Sequence, residues 1–339
     1  MLAVRLQAPG QLSPTDVPRP ACPPGGVLVR VLACGLCASD LKMFRLGHKE
    51  LSLPRVLGHE ISGEVAEVGS GVQGLAPGEL VQVYPGLSCG RCRACQEGRE
   101  NLCPQVKVLG FSLDGGLAQY LALPARALEQ GGVNPLPPGL DSDTATLAEP
   151  LACALNALDQ ARLRPGERVA IFGAGVLGRL LALAAQEAGA SSVVLLETDY
   201  RRLADLPAPG VLLEGGGDPS SALAPLEGRA EVVVPACPDP RAVEWGLRLL
   251  APAGRLVLFS GLAGRPGLDL NQLHYGQQTL VGAYGCTVEQ NRRALEFLAC
   301  WPGAGSLITL RLPLAQCGQG LAAMGRPGQL KVIINPFAQ

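Results

Sequence analysis

The first ~145 residues carry short Val-rich apolar runs separated by Gly and Pro, such as Val27–Leu32, Gly63–Val68 and Glu79–Tyr84. Short runs between turn residues predict an all-β domain, a distorted barrel. Prolines crowd residues 14–24 and 135–138, which suits loops and a boundary. From Thr144 the period changes. Thr144–Ala161 has helical spacing, Arg168–Phe172 is a short apolar strand, Gly178–Ala188 a helix and Ser192–Leu196 a strand. Glu231–Pro235, Arg241–Leu250 and Arg255–Ser260 continue the series as strand, helix and strand. Alternating elements of this kind predict a parallel, doubly wound sheet. Residues 207–225 fit neither period and are expected as loop. After Gly285 one good helix, Val288–Cys300, precedes short apolar pieces expected to return to the first domain.

The chain has 339 residues, which implies two domains, each of about 100–200 residues. Hydrophobic residues make up 47% and charged residues 17%, enough to fill two cores and unlike a disordered chain. The net charge is −1 without a basic stripe, so nucleic acid is not an expected partner. The apolar runs, such as Val169–Phe172 and Leu180–Ala185, are too short and interrupted to span a membrane. Met1–Gln11 lacks the pattern of a signal peptide, so a cytoplasmic protein is expected. In that setting the 12 cysteines read as reduced thiols or metal ligands rather than disulfides.

Gly173-Ala174-Gly175-Val176-Leu177-Gly178 is a G-x-G-x-x-G turn between a predicted strand and a predicted helix. Gly173 permits the tight turn, Gly175 lets backbone approach a pyrophosphate, and Gly178 lets helix pack on strand. The helix N-terminus offers free N–H groups to the phosphates. Glu197, at the end of the next strand, is placed to accept hydrogen bonds from both adenosine ribose hydroxyls. That favours NAD over NADP. Asp199 is the fallback, while Arg201 and Arg202 are candidates for a 2′-phosphate.

Cys89, Cys92, Cys95 and Cys103 have the spacing C-x2-C-x2-C-x7-C. Four thiolates in one loop match a closed structural zinc site. Disulfides and an iron–sulfur cluster are the alternatives. A second metal set is spread along the chain. His59 lies in Gly58-His59-Glu60-Ile61-Ser62-Gly63, Cys37 in Cys34-Gly35-Leu36-Cys37-Ala38-Ser39-Asp40, and Glu149 in Ala148-Glu149-Pro150. One thiolate, one imidazole and one carboxylate make a three-ligand zinc with an open position. Such a zinc lowers the pKa of an alcohol oxygen, and the carbon can then pass hydride to a nicotinamide.

On these motifs the whole chain resembles the zinc-dependent medium-chain dehydrogenases/reductases, and Glu149 points to their sorbitol (polyol) and threonine dehydrogenase branch. The resemblance implies a GroES-like β-barrel catalytic domain at 1–145 and 286–339, with the zinc lobe at 89–103. It implies a Rossmann domain at 146–285. Cys37 and His59 then bind the catalytic zinc directly, completed by Glu60 or Glu149, which gives two zinc ions per chain. Ser39 matches the hydroxyl that relays the alcohol proton, and Asp40 a carboxylate that fixes a ligand. Lys42 stands where many relatives have histidine. Cys153 is a rival ligand, and Cys34 a buried packing residue. His274-Tyr275, with Gly47-His48, resembles polyol- and cyclitol-type enzymes. The expected substrate is a small polar alcohol: a polyol, sugar or cyclitol, with L-threonine as the alternative. A non-catalytic, zinc-stabilised relative is the third possibility. A homodimer or homotetramer is implied.

Overall fold

In the computed structural model, residues 1–213, 218–326 and 328–338 are described. The chain divides into two compact units, Met1–Ala152 with Thr287–Gln339, and Cys153–Cys286.

The first unit is built on a mixed sheet in the order Val133–Pro135, Leu80–Val83, Glu60–Val68, Val27–Gly35, Lys331–Asn335 and Ile308–Pro313. Tyr120–Leu123 also pairs with Val27–Gly35. Val27, Val29 and Val31 are fully buried with Ile61, Val65 and Val81, so alternate β-branched side chains form the core. Strand register brings distant segments together. Gly35 pairs with Glu60 on one side and with Ile333 on the other. The C-terminal segment therefore lies beside the strand that leads into Cys37. The GroES-like character of this unit and the α/β class of the chain are as expected.

The second unit is a six-stranded parallel sheet: Gly210–Leu212, Ser192–Glu197, Arg168–Phe172, Ala230–Pro235, Leu250–Leu258 and Thr279–Gly282. All neighbours are parallel. Numbered along the chain the order is 3-2-1-4-5-6, a dinucleotide-binding topology whose switch point lies beside Arg168–Phe172. Ala170, Val194 and Val233 are buried across three adjacent strands, as a sheet covered on both faces requires.

Two expected elements differ. The helix predicted from Thr144 is two pieces, Ser142–Ala145 and Ala148–Ala161. Asp141 caps the first by accepting from Thr144 N at 2.9 Å. Pro150 explains the restart, because its ring is tolerated only in a first helical turn. The break puts Glu149 at a helix start. The stretch expected as loop contains strand Gly210–Leu212, paired with Leu195–Glu197, and a 3₁₀ turn at Pro219–Ala222. Residues 214–217 lie outside the described residues. Among the described residues no helix is long and apolar enough to cross a membrane.

Candidate active site

Asp40 organises the segments that carry the candidate metal ligands. It is fully buried in the first turn of helix Ala38–Leu46, whose N-cap is Cys37. Its Oδ2 accepts from Cys37 N at 2.9 Å and its Oδ1 from Gly58 N at 3.2 Å. One carboxylate thus ties the turn bearing Cys37 to the turn bearing His59. Gly58 has φ +92°, a conformation glycine adopts readily, and an added Cβ would sit 2.6 Å from Cys34 Sγ. That contact gives buried Cys34 a packing role.

Donor atoms of Cys37, His59 and Glu60 lie within 4.8 Å of one another. His59 Nδ1 is 3.6 Å from Asp40 Oδ1 and its Nε2 is 3.4 Å from Ser39 Oγ. Buried Nδ1 has no hydrogen-bond partner at this distance. Were His59 to hold an ion through Nε2, its Nδ1–H would be left to Asp40, and both nitrogens would be satisfied as is usual for a ligating histidine. Burial pushes the His59 pKa down, but the nearby carboxylate of Asp40, then Cys37, carry it well above its ordinary value. A soft thiolate, an imidazole and a carboxylate this close fit zinc. Phe111 packs at 5.3 Å between ring centroids from His59, and His48 stands edge-on to Phe111 at 5.6 Å.

Glu149 lies outside the 4.8 Å group, half-buried at the start of its helix, yet its charge reaches Lys331. Lys42 is exposed. Cys153 sits one turn beyond Glu149 on helix Ala148–Ala161. His274 and Tyr275 are both exposed on helix Leu270–Gly276, their rings edge-to-face at 4.9 Å.

The four-cysteine lobe is assembled by local turns. Cys92 Sγ is 3.5 Å and Cys89 Sγ 3.9 Å from Cys95 Sγ. A zinc tetrahedron with bonds of about 2.3 Å has sulfur–sulfur edges of about 3.8 Å, whereas a disulfide needs about 2.05 Å. Backbone N–H groups of Arg91 and Cys92 lower the Cys89 pKa to about 6. Cys92 is raised to about 11 among its neighbouring sulfurs, against hydrogen bonding from the Cys95 backbone.

In the second unit each glycine of the turn has its own geometry. Gly173 has φ +103°. A Cβ on Gly175 would meet nothing nearer than Arg202 Nη1 at 3.8 Å, leaving the space a phosphate needs. A Cβ on Gly178 would collide with Gly173 O at 1.8 Å, so the helix packs against the turn only as glycine. Helix Val176–Glu187 begins at Val176 and Leu177, with Gly175 as N-cap, two residues before the expected start. Glu197 is buried. Its Oε2 accepts from Ala174 N at 3.0 Å, and its Oε1 from Thr198 N at 2.7 Å and Asp199 N at 3.1 Å. It therefore pins the glycine turn to the second strand. Asp199 is taken up by Arg201 at 2.7 Å.

Two residues escaped the sequence reading. Arg179 is buried and its guanidinium donates to Ala174 O at 3.0 Å, Asp205 O at 2.7 Å, Arg202 O at 3.0 Å and Ala204 O at 2.9 Å. It buckles the glycine turn to the loop after the second strand. Its signal was an arginine inside the apolar run that opens the helix. Lys331 donates from Nζ to both oxygens of Glu60, at 2.7 and 2.6 Å. Burial works against its charge, but Glu60, then Cys37, hold the ammonium's pKa above its ordinary value. Its signal was one of only four lysines, heading the apolar run Val332–Ile334.

Residues 23–132 match the model of the alcohol dehydrogenase GroES-like domain. An L-threonine 3-dehydrogenase from Pyrococcus horikoshii is 34% identical over 80% of this chain and 79% of its own. D-altritol 5-dehydrogenase from Agrobacterium fabrum is 32% identical over 93% of this chain and 94% of its own. The structure of a zinc-binding dehydrogenase from Sinorhizobium meliloti 1021, bound to NADP, has a TM-score of 0.89 and 32% identity, with 99% of each chain covered.

Proposed function

Since the chain belongs to the zinc-dependent medium-chain dehydrogenases, we propose that it oxidises a secondary hydroxyl of a polyol, sugar or cyclitol to the ketone, passing hydride to NAD. The observation that carries this is the Cys37–His59–Glu60 donor group with Ser39 Oγ 3.4 Å from the ring nitrogen that faces it. Zinc, when bound by Cys37 and His59, supplies a Lewis acid that lowers the pKa of the alcohol oxygen. Asp40 fixes the ring and both ligand turns. Ser39 would relay the hydroxyl proton, taking it up while passing its own hydroxyl proton on to solvent, and Phe111 packs beside the His59 ring. In the nucleotide unit, Gly173, Gly175 and Gly178 leave the backbone open to the pyrophosphate at the start of Val176–Glu187. Glu197, at the end of the second strand, is the acidic residue that would meet the adenosine ribose, which supports NAD.

Similarity to the altritol enzyme over nearly the full chain supports the polyol class. The threonine enzyme, at comparable identity, supports L-threonine as the second reading. An intact donor group and an open glycine turn argue against a non-catalytic relative. The protein is read as a cytoplasmic homodimer or homotetramer, an oligomeric state that sedimentation measures. The main test joins zinc content to a panel of polyols, cyclitols, sugars and threonine, followed by NADH absorbance. Two zinc ions per chain and turnover of a polyol or cyclitol are expected. Turnover of threonine alone moves the assignment to the second reading. One zinc and no NAD reduction by any substrate sinks the enzyme.

A further inference from the structure

Cys153 and Cys286 are the first and last residues of the second unit. Both are thiols, and their Sγ atoms lie within 4.8 Å of each other. Asn156 explains the approach. It stands three residues after Cys153 on helix Ala148–Ala161, hence on the same face. It is buried, and its Nδ2 donates to Gly285 O at 2.9 Å and to Tyr284 O at 3.4 Å, the two residues before Cys286. Gln160 Nε2 donates to its Oδ1 at 3.2 Å, which fixes the orientation of the amide. Gly285 takes φ +59°, so the chain bends directly before Cys286. One buried amide thus fastens the helix to the segment after strand Thr279–Gly282 and holds the two sulfurs opposite each other. Cys286 is 4% exposed and Cys153 half-buried, so a small solute reaches Cys153 first. Residues 284–286 leave the sixth strand at its carboxyl end, the edge of a doubly wound sheet at which dinucleotides bind.

We infer that Cys153 and Cys286 are a reversible redox pair, whose disulfide closes under peroxide and weakens cofactor binding. Cys153 Sγ, having lost its proton, attacks one peroxide oxygen. The O–O bond breaks, leaving a sulfenic acid and, with a proton, one water. Cys286 Sγ then attacks that sulfur, the S–O bond breaks, and the departing hydroxide takes the Cys286 proton as a second water. Two thiols and one peroxide give one disulfide and two waters. A small thiol reverses the bond by exchange, so in a reducing compartment it is transient, as sensing disulfides are. An S–S bond is only about 2.05 Å long. Closing it draws the segment after the sixth strand onto the helix, and cofactor binding at that edge is the property that changes. The effect on the cofactor rests on the NAD reading above; the bond itself does not.

The experiment treats the zinc-loaded full chain with hydrogen peroxide, blocks remaining thiols, and digests it with trypsin. Peptides 127–162 and 256–292 carry one cysteine each, so their disulfide-linked pair reports this bond alone. The pair is expected in oxidised wild type, to vanish with dithiothreitol, and to form about tenfold faster in the folded chain than in urea. NAD affinity, read by calorimetry, is expected to fall several-fold on oxidation of wild type and to return with dithiothreitol. Cys153→Ala, oxidised alongside, controls for damage to other cysteines and keeps the affinity of its own reduced form. No linked pair in folded, oxidised wild type overturns the inference, and so does equal formation in urea. Unchanged NAD affinity with the bond formed overturns the switch. A third zinc per chain that Cys153→Ala removes makes the pair metal ligands and overturns it too. Reduced protein that binds no NAD sinks the cofactor reading instead, and the linked peptides still judge the bond.

Discussion

The first unit holds two groups of candidate metal ligands that are built in opposite ways. The four cysteines of the lobe come from fifteen consecutive residues, and the turns that bring their sulfurs to 3.5–3.9 Å also supply the N–H groups that favour thiolate. The other group draws Cys37 from a helix cap, and His59 and Glu60 from the mouth of a strand. It is held by Asp40 and Lys331, which come from a helix and from the far end of the chain. A local site is stabilised by the metal it closes around. A dispersed site is preformed by the fold and leaves the metal a position to work with.

The comparison breaks most sharply on its cysteines. Cys37→Ser is expected to cut kcat by on the order of 10³-fold, since the Lewis acid supplies several kcal/mol of barrier lowering, while the melting temperature hardly moves. Cys92→Ser is expected to do the reverse, with loss of one zinc and a clear drop in melting temperature. Zinc analysis, steady-state rates and thermal unfolding on both variants settle it. Equal effects on both readouts would erase the distinction. Next in size, Asp40→Asn removes the charge that fixes both ligand turns. Catalytic-zinc affinity is expected to fall about 10–100-fold, with lobe zinc retained. Competition with a chelator measures this, and wild-type affinity would show that Asp40 is only packing. The smallest effect is in pH. With Cys89 held at about 6 and Cys92 at about 11, binding zinc at pH 7 displaces the Cys92 proton but finds Cys89 already ionised. Acidification therefore weakens lobe zinc, and the loss steepens as pH falls through about 6, where Cys89 takes up a proton in the metal-free lobe. Zinc titrations at several pH values with a constant slope through that range would contradict it.

The nucleotide turn was almost wholly legible in the sequence, because its geometry is local. Positive φ at Gly173, the open flank of Gly175 and the tight packing of Gly178 each follow from a glycine at a fixed offset. Glu197 was legible as a position but not in its bonding. That three backbone N–H groups would converge on it depends on how the glycine turn meets the second strand. The helix expected from Thr144 is divided because Pro150 fits only a first helical turn, which apolar spacing alone does not register. Strand Gly210–Leu212 was missed because it is short and forms only by pairing with Leu195–Glu197.

By itself the sequence determined the class of both units, the spacing of the four cysteines, the glycine turn, and Cys37 and His59 as candidate ligands. The cysteine lobe and the glycine turn rest on spacing within a few residues, which the chain's own geometry converts into shape. Only the tertiary structure decided what Glu60 touches. Its partner lies 271 residues away and arrives by a strand pairing that no local pattern specifies. The same holds for Arg179, whose four carbonyl partners converge only after the sheet has formed. Charges separated in sequence meet through the register of strands. The burial that register imposes, by removing water, makes those meetings strong enough to set the site.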